Sequence, residues 1–320
     1  MKEFRIGIMG AGSIAVKFCN AVSQIEGAAV AAVASKSLER AQSFAKKNGV
    51  ARWYDSYEAM LEQEELDLVY IATTIQAHCE LMRLCLERGV PVLCEKSMAR
   101  SAAEAEEVFR ISEEKQIFAM EAMWARFLPK TRKAMEWIRE GRIGEVKMGV
   151  CTLGSCPPRD AGNLYFNPEL GGGTMYDTGV YAIELMQYLM GEPVIEVKTM
   201  MEREEMQVDV MDQVLLRFPH GMAALQFTLS AMAREVLIIS GSKGRIELPN
   251  PHYGKECILY EGREETEHFI GDEENGFVYE IREAMRCVRE GRIESPVIPH
   301  RDTVGCARIF DQIWGEYEVQ

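Results

Sequence analysis

The hydrophobic pattern of residues 4–120 alternates between short apolar runs and longer amphipathic stretches. The short runs predict strands, and the stretches between them carry apolar residues at helical spacing. Strands are expected at residues 4–9, 28–34, 66–72, 90–94 and 117–120, and helices at residues 15–25, 76–88 and 101–115. Strands separated by helices pair in parallel through right-handed crossovers. This part of the chain is therefore predicted to form an α/β domain with a Rossmann-like, doubly wound parallel sheet.

The pattern changes after residue 121. Helices are predicted at residues 129–139, 276–289 and 303–317, and a strand at residues 146–153. Between residues 194 and 270, β-like runs occur at 213–218, 222–229, 236–240, 245–248 and 256–260, with turn-forming residues between them. We therefore expect two domains, residues 1–121 and 122–320. The second is predicted to be an α+β domain with a largely antiparallel open sheet.

Composition narrows the class of protein. With 320 residues, of which 47% are apolar and 27% charged, the chain can form two domains with cores of their own. Its net charge of −14 would repel the phosphates of a nucleic acid, so no such partner is expected. No apolar run reaches transmembrane length and Met1 leads into a strand without a secretory signal. We expect a cytoplasmic protein that does not bind a membrane.

Cysteine and histidine usage agrees with a cytoplasmic setting. The nine cysteines are odd in number and contain no Cys-x-x-Cys pair, Cys151 and Cys156 coming closest to one. Since only five scattered histidines accompany them, reduced thiols are expected rather than disulfides, and no metal is expected to bind.

The turn after the first predicted strand carries the small residues that a dinucleotide needs. Gly10 permits a tight turn, Gly12 lets a pyrophosphate approach the backbone, and Ala15 allows the next helix to pack closely on the strand. The first backbone N–H groups of that helix, at Ser13 and Ile14, would face the phosphates. Strand, turn and helix together predict a nicotinamide dinucleotide site. The alternative is a structural turn that binds nothing.

The end of the second predicted strand indicates which dinucleotide binds. A free ribose 2′-hydroxyl usually meets an acid at this point, whereas a 2′-phosphate needs cations and hydroxyl donors. The chain offers Ser35, Lys36, Ser37 and Arg40 there, and Glu39 lies on the following helix. We therefore expect NADP, with NAD as the less favoured cofactor. The alternative interpretation is a helix N-cap at Ser35 or Ser37 with ordinary surface cations.

Two more strand ends are expected at the same edge of the sheet. Ala72, Thr73, Thr74 and His78 follow one strand, and Glu95 and Lys96 follow the other. Because ligands bind beyond the carboxyl ends of strands in an open α/β sheet, all of these residues are expected to line the cofactor site. His78 would flank the cofactor or, alternatively, act as a general base.

A glycine-rich segment further along the chain supplies other candidate groups. Gly171–Gly173 precedes a helical stretch on which Asp177 and Tyr181, four residues apart, share one face. A carboxylate, a phenol and the ammonium of Lys96 could then meet one substrate. We predict Lys96, Asp177 and Tyr181 to be catalytic and to contact the substrate.

Hydride transfer explains why these three residue types would be needed. A secondary alcohol that gives a hydride to a nicotinamide must also lose its hydroxyl proton, and the reverse reaction returns that proton. Tyrosine, with an ordinary pKa of about 10, is a poor base at neutral pH unless a nearby ammonium stabilises its phenolate. Tyr181 and Lys96 thus form a coherent acid/base pair, in which Asp177 orients Lys96 or a substrate hydroxyl. In a second assignment, which the sequence leaves open, Lys96 donates the proton and Tyr181 only binds substrate.

Aromatic and cationic residues nearby are further candidates. Trp124, Arg126 and Phe127 follow the last strand of the first domain and could form an aromatic wall with a guanidinium, or belong to the core. We assign Trp124 and Arg126 to the cofactor site, and Trp124 also to the substrate site. Arg159 and Tyr165, in the loop before the glycines, are predicted substrate contacts.

Several of these motifs resemble one family over nearly the whole chain. They are Gly10-Ala-Gly12, the Ala-Thr-Thr loop ending in His78, Glu95-Lys96 and the segment from Gly171 to Tyr181. The family is that of glucose-fructose oxidoreductase and inositol dehydrogenase (Gfo/Idh/MocA). The resemblance implies a nicotinamide-dependent enzyme with a Rossmann-like domain followed by an α+β domain.

Within that family, Tyr181 and the run from Glu121 to Phe127 are similar to one branch. It holds dimeric dihydrodiol dehydrogenase and NADP-dependent D-xylose dehydrogenase, and it has Tyr where inositol dehydrogenases have His. Two positions depart from the family pattern. Ser97 replaces the usual proline after Glu-Lys, which removes the proline's restriction on the Lys96 loop, and Thr74-Ile75 replaces Pro-Asn.

The resemblance implies an NADP-dependent oxidoreductase acting on a sugar, polyol or vicinal diol. Two other functions occur among similar proteins. One is a glycosidase that keeps its nicotinamide bound and oxidises the sugar transiently, without net change in the cofactor. The other is a cofactor-sensing binding protein without catalysis, which would need a broken site, whereas Lys96, Asp177 and Tyr181 are all present. Polyols, anhydrosugars and aromatic dihydrodiols all stay open as substrates.

The predicted antiparallel sheet also suggests a partner. In the strand at 222–229, both alternating sets of side chains are largely apolar. If helices cover one face, the other needs a second cover, and a homodimer through that face is what the resemblance implies.

Overall fold

The computed structural model describes residues 3–159, 163–203, 208–271 and 275–319. They form two compact units. The first takes the described residues of Met1–Ala99, Ala103–Trp124 and Asn275–His300, and the second takes those of Arg100–Ala102, Ala125–Glu274 and Arg301–Gln320.

The described residues of the first unit form a six-stranded parallel sheet. Its strands are β1 (Phe4–Met9), β2 (Ala28–Ala34), β3 (Arg52–Tyr54), β4 (Leu68–Ile71), β5 (Val92–Glu95) and β6 (Ala119–Ala122). They lie in the order β3-β2-β1-β4-β5-β6. β4, β5 and β6 are buried along their whole length, as expected of parallel strands covered on both faces. The predicted Rossmann-like, doubly wound sheet is confirmed.

Helices connect these strands. They are α1 (Ser13–Val22), α2 (Leu38–Asn48), α3 (Tyr57–Gln63), α4 (Ile75–Glu87) and α5 (Ala102–Lys115). The strand order reverses between β1 and β4, which are neighbours in the sheet although two other strands lie between them in sequence. In open α/β sheets, ligands bind beyond the carboxyl ends of strands at such a point.

The described part of the second unit contains an eight-stranded sheet in the order β14-β13-β12-β11-β7-β10-β9-β8. Its strands are β7 (Val146–Gly154), β8 (Glu196–Arg203), β9 (Asp209–Arg217), β10 (Met222–Thr228), β11 (Val236–Gly241), β12 (Gly244–Pro249), β13 (Glu256–Glu261) and β14 (Glu264–Ile270). Neighbouring strands are antiparallel except β7 and β10, which pair in parallel. The predicted largely antiparallel sheet is confirmed, with this parallel pair inside it.

Four further helices lie in the described part of the chain. They are α6 (Pro129–Arg139), α7 (Val180–Met190), α8 (Phe277–Arg289) and α9 (His300–Val319). α6 and α7 cover one face of the second sheet. In β10, Leu225 and Phe227 are buried under that cover, whereas Met222 and Gln226 on the opposite face are exposed.

α8 belongs to the first unit, although it lies near the end of the chain. Its apolar side chains, among them Ile281, are buried, and the helix packs against α1. The amide of Asn275 donates to the carbonyl oxygen of Lys17 at 3.2 Å. The two units therefore differ from the division at residue 121 that we expected, because that division followed sequence order and residues 275–300 return to the first unit.

Within the described ranges, we find no helix that combines the length and the apolar character needed to cross a membrane.

Candidate active site

The turn between β1 and α1 has the backbone geometry of a phosphate-binding loop. Gly10 has a φ of +105°, and a Cβ there would lie 2.4 Å from the carbonyl oxygen of Ala72, so no other residue fits. A Cβ at Gly12 would meet no atom within 4 Å, which leaves open space in front of the turn. Gly12 is the N-cap of α1 and has no side chain to cap the N–H groups of Ser13 and Ile14. These donors can bind an anion at the positive end of the helix.

The segment after β2 presents cations and hydroxyls. Ser35 is buried, Lys36 and Arg40 are exposed, and Glu39 lies on the first turn of α2 rather than at the strand end. The hydroxyl of Ser37 accepts the backbone N–H of Arg40 at 3.3 Å and caps α2. The N-cap interpretation thus holds for Ser37, and it leaves both cations exposed.

The loop after β4 is tied to the loop after β5 by His78. This side chain is buried, with Nδ1 lying 2.9 Å from the carbonyl oxygen of Ser97 and Nε2 lying 3.1 Å from that of Thr73. Burial lowers the pKa of His78, which favours the neutral ring. Both ring nitrogens face backbone oxygens, so His78 braces the two loops and is not poised as a general base. Thr74 is the N-cap of α4.

Lys96 follows β5 directly and is half-buried. The peptide bond between Lys96 and Ser97 is cis. Glu95 is buried beside it, accepts a hydrogen bond from the hydroxyl of Tyr70, and has its pKa raised to about 7, chiefly by burial. The backbone N–H of Met98 donates to Oε1 of Glu121 at 2.9 Å. The ammonium of Lys96 is therefore carried on a segment whose backbone is fixed on both sides.

Trp124 and Arg126 have different environments although they are two residues apart. The indole of Trp124 stacks on the ring of Phe277, with 5.2 Å between centroids. Arg126 is fully buried in the second unit, where its guanidinium pairs with Glu184 at 2.5 Å and with Asp302 at 2.6 Å. Phe127 is also buried. Arg126 is thus committed to internal carboxylates, and this placement does not support the expected cofactor contact.

The glycine-rich segment of the second unit is shaped by Asp209. Its Oδ2 accepts the backbone N–H of Met175 at 2.6 Å. Gly173 has a φ of +112°, and a Cβ there would lie 2.1 Å from Asp209 Oδ1. The neighbouring Asp212 is fully buried, and burial next to Asp209 raises its pKa far above the ordinary range, so the two carboxyls share a proton. Sequence reasoning missed this pair.

Asp177 and Tyr181 lie on one continuous helical segment. Asp177 is in a π-helical turn, Met175–Gly179, and Tyr181 is in the first turn of α7, which follows without a break. Expecting a single α-helix was therefore inaccurate for Asp177, and π-helical turns of this kind are frequent at functional sites. Both side chains are half-buried. They belong to the second unit and Lys96 belongs to the first.

The ring of Tyr181 stacks on His252, with 4.9 Å between centroids and 27° between planes. His252 was missed in the sequence, because Pro249-Asn-Pro251 was interpreted only as a turn. A histidine after such a turn gives no local signal of what its ring will touch.

The predicted substrate contacts Arg159 and Tyr165 pack within the loop that precedes the glycines. Nη2 of Arg159, an exposed residue, donates to Oγ of Ser230 at 2.9 Å, and its guanidinium lies 5.8 Å from the ring centre of Phe166. Tyr165 packs against the cluster that contains Phe166, and its carbonyl oxygen accepts the N–H of Gly173 at 2.8 Å.

Comparison with known proteins covers almost the whole chain. Residues 4–122 match the model of an oxidoreductase family with an NAD-binding Rossmann fold, and residues 131–247 match the GFO/IDH/MocA C-terminal domain. Trans-1,2-dihydrobenzene-1,2-diol dehydrogenase from Mus musculus is 30% identical, over 96% of this chain and 95% of the relative.

Solved structures with a similar fold carry either nicotinamide cofactor. KijD10, a 3-ketoreductase from Actinomadura kijaniata in complex with NADP and TDP-benzene, has a TM-score of 0.88 at 24% identity over 98% of both chains. Levoglucosan dehydrogenase in complex with NADH and levoglucosan has a TM-score of 0.90 at 18% identity, over 99% of this chain and 98% of that chain. At these identities the likeness concerns the fold. From the two domain matches and the similarity along its whole length, the chain belongs to the Gfo/Idh/MocA oxidoreductase family.

Proposed function

We propose that this chain is an NADP-dependent dehydrogenase that transfers a hydride between the nicotinamide and a secondary alcohol or carbonyl of a vicinal diol, sugar or polyol. The observation that carries the proposal is the end-to-end similarity to a dihydrodiol dehydrogenase, together with Lys96, Asp177 and Tyr181 in this chain. Within the substrate class, a vicinal diol is favoured, since the relatives at 28–30% identity act on one by name.

The first unit has the features that a dinucleotide needs. The open space before Gly12 and the uncapped first turn of α1 would hold the pyrophosphate. Ala72, Thr73, Thr74 and Glu95, with Trp124, would line the rest of the site. When bound, the nicotinamide supplies or accepts the hydride.

The preference for NADP follows from the residues after β2. Lys36 and Arg40 are exposed cations, and the hydroxyls of Ser35 and Ser37 lie between them in sequence. A 2′-phosphate would gain charge-assisted hydrogen bonds from such a segment. Because solved structures of this fold hold NADP or NADH, the preference rests on this chain's own residues.

In the proposed mechanism, Tyr181 exchanges the proton of the reacting hydroxyl, and Lys96 stabilises the negative charge that develops on that oxygen. Asp177 orients Lys96 or a second substrate hydroxyl. Trp124, Arg159 and Tyr165 would contact the rest of the substrate. In the second assignment, Lys96 donates the proton and Tyr181 only binds the substrate.

A homodimer and a cytoplasmic location complete the proposal. The open face of the second sheet carries exposed Met148, Met200, Leu215 and Met222, and a second copy would cover it. All nine cysteines lie in described parts of the chain, and eight of them are at least partly buried, Cys156 being exposed. Such thiols fit a reducing compartment.

Turnover tests the proposal directly. The purified protein is mixed with NADP⁺ or NAD⁺ and a panel of dihydrodiols, aldoses and inositols, or with the reduced cofactors and the matching carbonyls, while absorbance of the reduced nicotinamide is followed. We expect turnover with NADP and at least one diol or sugar. Cleavage of a glycoside without net cofactor change would favour the glycosidase, and cofactor binding with no reaction would favour the sensor.

Two variants test the assigned residues. Lys96→Ala should lower kcat roughly 10²–10⁴-fold with little change in cofactor affinity, because only the reacting oxygen loses a partner. Tyr181→Phe should lose a similar factor if the phenol carries the proton, and far less in the second assignment. Lys46→Ala, an exposed lysine on α2, is the matched control. Normal activity of Lys96→Ala would contradict the site.

A further inference from the structure

His252 lies in the loop between β12 and β13 and contacts three aromatic or acidic side chains of the second unit. Its imidazole stacks on Tyr181, as described above, and meets the ring of Tyr253 edge-on at 4.6 Å. Nδ1 of His252 lies 3.9 Å from Oε2 of Glu235, a residue just before β11. One imidazole is therefore placed between a carboxylate and the proposed acid/base.

The loop that carries His252 is fixed by a buried cation. Lys130, fully buried on α6, donates from Nζ to the carbonyl oxygen of Asn250 at 2.6 Å and to that of Pro249 at 3.3 Å. The backbone N–H of Asn250 donates to the carbonyl oxygen of Glu235 at 3.0 Å. The imidazole is thus placed by a rigid backbone and not by a mobile surface loop.

Glu235 is held from its other side. Its Oε1 accepts the backbone N–H of Gly154, at the end of β7, at 3.3 Å. The side chains of His252 and Glu235 are 20% and 13% exposed. Because water screens this pair only in part, the carboxylate favours the imidazolium form of the ring.

We propose that His252, kept cationic by Glu235, is a positioning residue for Tyr181: its ring fixes the plane of the phenol, and its charge favours the phenolate. The inference rests on the proposed function and deepens it. A cation within about 6 Å of an aromatic ring centre interacts favourably with that ring. The charged groups around His252 are Glu235 from the β11 side and Lys130 from α6, and the phenols are those of Tyr181 and Tyr253.

The consequence is a change in where Tyr181 ionises. With the imidazolium beside it, the phenol loses its proton at a lower pH than it would alone. His252→Phe keeps a ring to stack on Tyr181 but removes the charge. The pH at which Tyr181 ionises should rise by about one unit, which corresponds to about a tenfold loss of phenolate at neutral pH.

The first measurement does not require turnover. Tyrosines carrying ¹³C at Cζ are titrated by NMR, and the signal of Tyr181 is identified by its loss in Tyr181→Phe. We expect its ionisation midpoint to move upward in His252→Phe and, by a smaller amount, in Glu235→Gln. His220→Phe is the matched control, because His220 also pairs with a glutamate, Glu192, but is 73% exposed. An unchanged midpoint in His252→Phe would overturn the inference whether or not the enzyme is active.

The second measurement uses the dehydrogenase reaction. In the oxidation direction, the rising limb of log kcat against pH should shift upward in His252→Phe by the amount seen for Tyr181. A uniform loss of kcat at every pH, with no shift of the limb, would show a merely structural role. If the wild-type protein turns over no substrate, the proposed function fails by itself, and the NMR titration still decides the role of His252. Glu235→Gln keeps the loop and the imidazole and serves if His252→Phe does not fold.

Discussion

Glu280 is a carboxyl that has been buried without a cation beside it. It lies fully buried on α8 in the first unit, next to Glu95, and burial raises its pKa well above the ordinary value of 4.5. Tyr70 donates to Glu95, so the hydroxyl compensates one acid and not the other. The unshared acid stays protonated in the folded protein at neutral pH.

Glu280→Gln should therefore change the pH dependence of stability. The folded-state pKa is raised, so the wild-type contribution is complete below pH 4.5 and declines as the pH rises, since the unfolded chain releases the proton. At pH 8 the variant should be more stable by about 1–3 kcal/mol, and near pH 4.5 the two should agree. Thermal unfolding at both pH values measures this, with Glu87→Gln, an exposed residue of α4, as control. An equal difference at both pH values would contradict the argument.

Lys36 and Arg40 provide the residue-scale test of cofactor choice. Replacing both by Ala removes two cations that would meet a 2′-phosphate, so the Kd for NADP should rise roughly 10–100-fold, while that for NAD should change little. Lys46→Ala with Lys47→Ala removes the same charge from the far end of α2 and should leave both constants unaltered. Equal weakening of NADP and NAD would refute the preference.

At the scale of elements, α7 is joined to its neighbours through one buried guanidinium. Arg126 pairs with Glu184 on α7 and with Asp302 on α9. The ring of Tyr188, also on α7, lies 5.1 Å from the guanidinium carbon. The helix that carries Tyr181 is thus located by charges inside the second unit.

Arg126→Met should destabilise the protein by about 3–5 kcal/mol, because Glu184 is left buried without its partner. The double variant with Glu184→Met should recover much of this loss, since no uncompensated charge remains. Chemical denaturation measures both, and Arg139→Met, an exposed residue of α6, is the control. A single variant as stable as the wild type would show that the pair contributes little.

The sequence predicted the elements whose pattern is local. β2 and α6 have the predicted boundaries, because a run of small apolar residues and a Pro-initiated amphipathic stretch identify them. β3, with three residues, was too short to show a period. β14 was missed because acidic residues dominate it, which an edge strand with a solvated face tolerates.

Candidate site residues divide in the same way. Gly10, Gly12 and Lys96 were found from strand-end logic, which needs only the neighbouring sequence. Asp209 and His252 were not found, because their partners Met175 and Tyr181 are distant in sequence and are brought near them by the pairing of strands.

At the scale of the whole molecule, the open face of the second sheet is the main uncovered apolar surface among the described residues. On it, Met148 pairs with Met222 across β7 and β10, and they are 52% and 56% exposed. Leu215, on β9, is 58% exposed on the same face. Acidic and basic residues such as Glu196 and Arg217 border this apolar centre on β8 and β9.

Leu215→Lys combined with Met222→Lys should convert the expected dimer to a monomer. Two charges would be buried in the centre of the interface, which should weaken association by roughly 100-fold or more. Light scattering after size-exclusion chromatography gives the mass directly. Met232→Lys changes a methionine that is 81% exposed outside the sheet and should leave the dimer intact. A wild-type monomer would remove the proposed interface.

The return of α8 to the first unit determines the order in which a nascent chain can mature. The ribosome releases β1 to β6 early, but Phe277–Arg289 emerges only after the whole second sheet has been made. Until then, the surface of α1 and the carboxyl of Glu95 that α8 will cover stay open to water. The cofactor-binding unit is therefore completed last, although most of it is synthesised first.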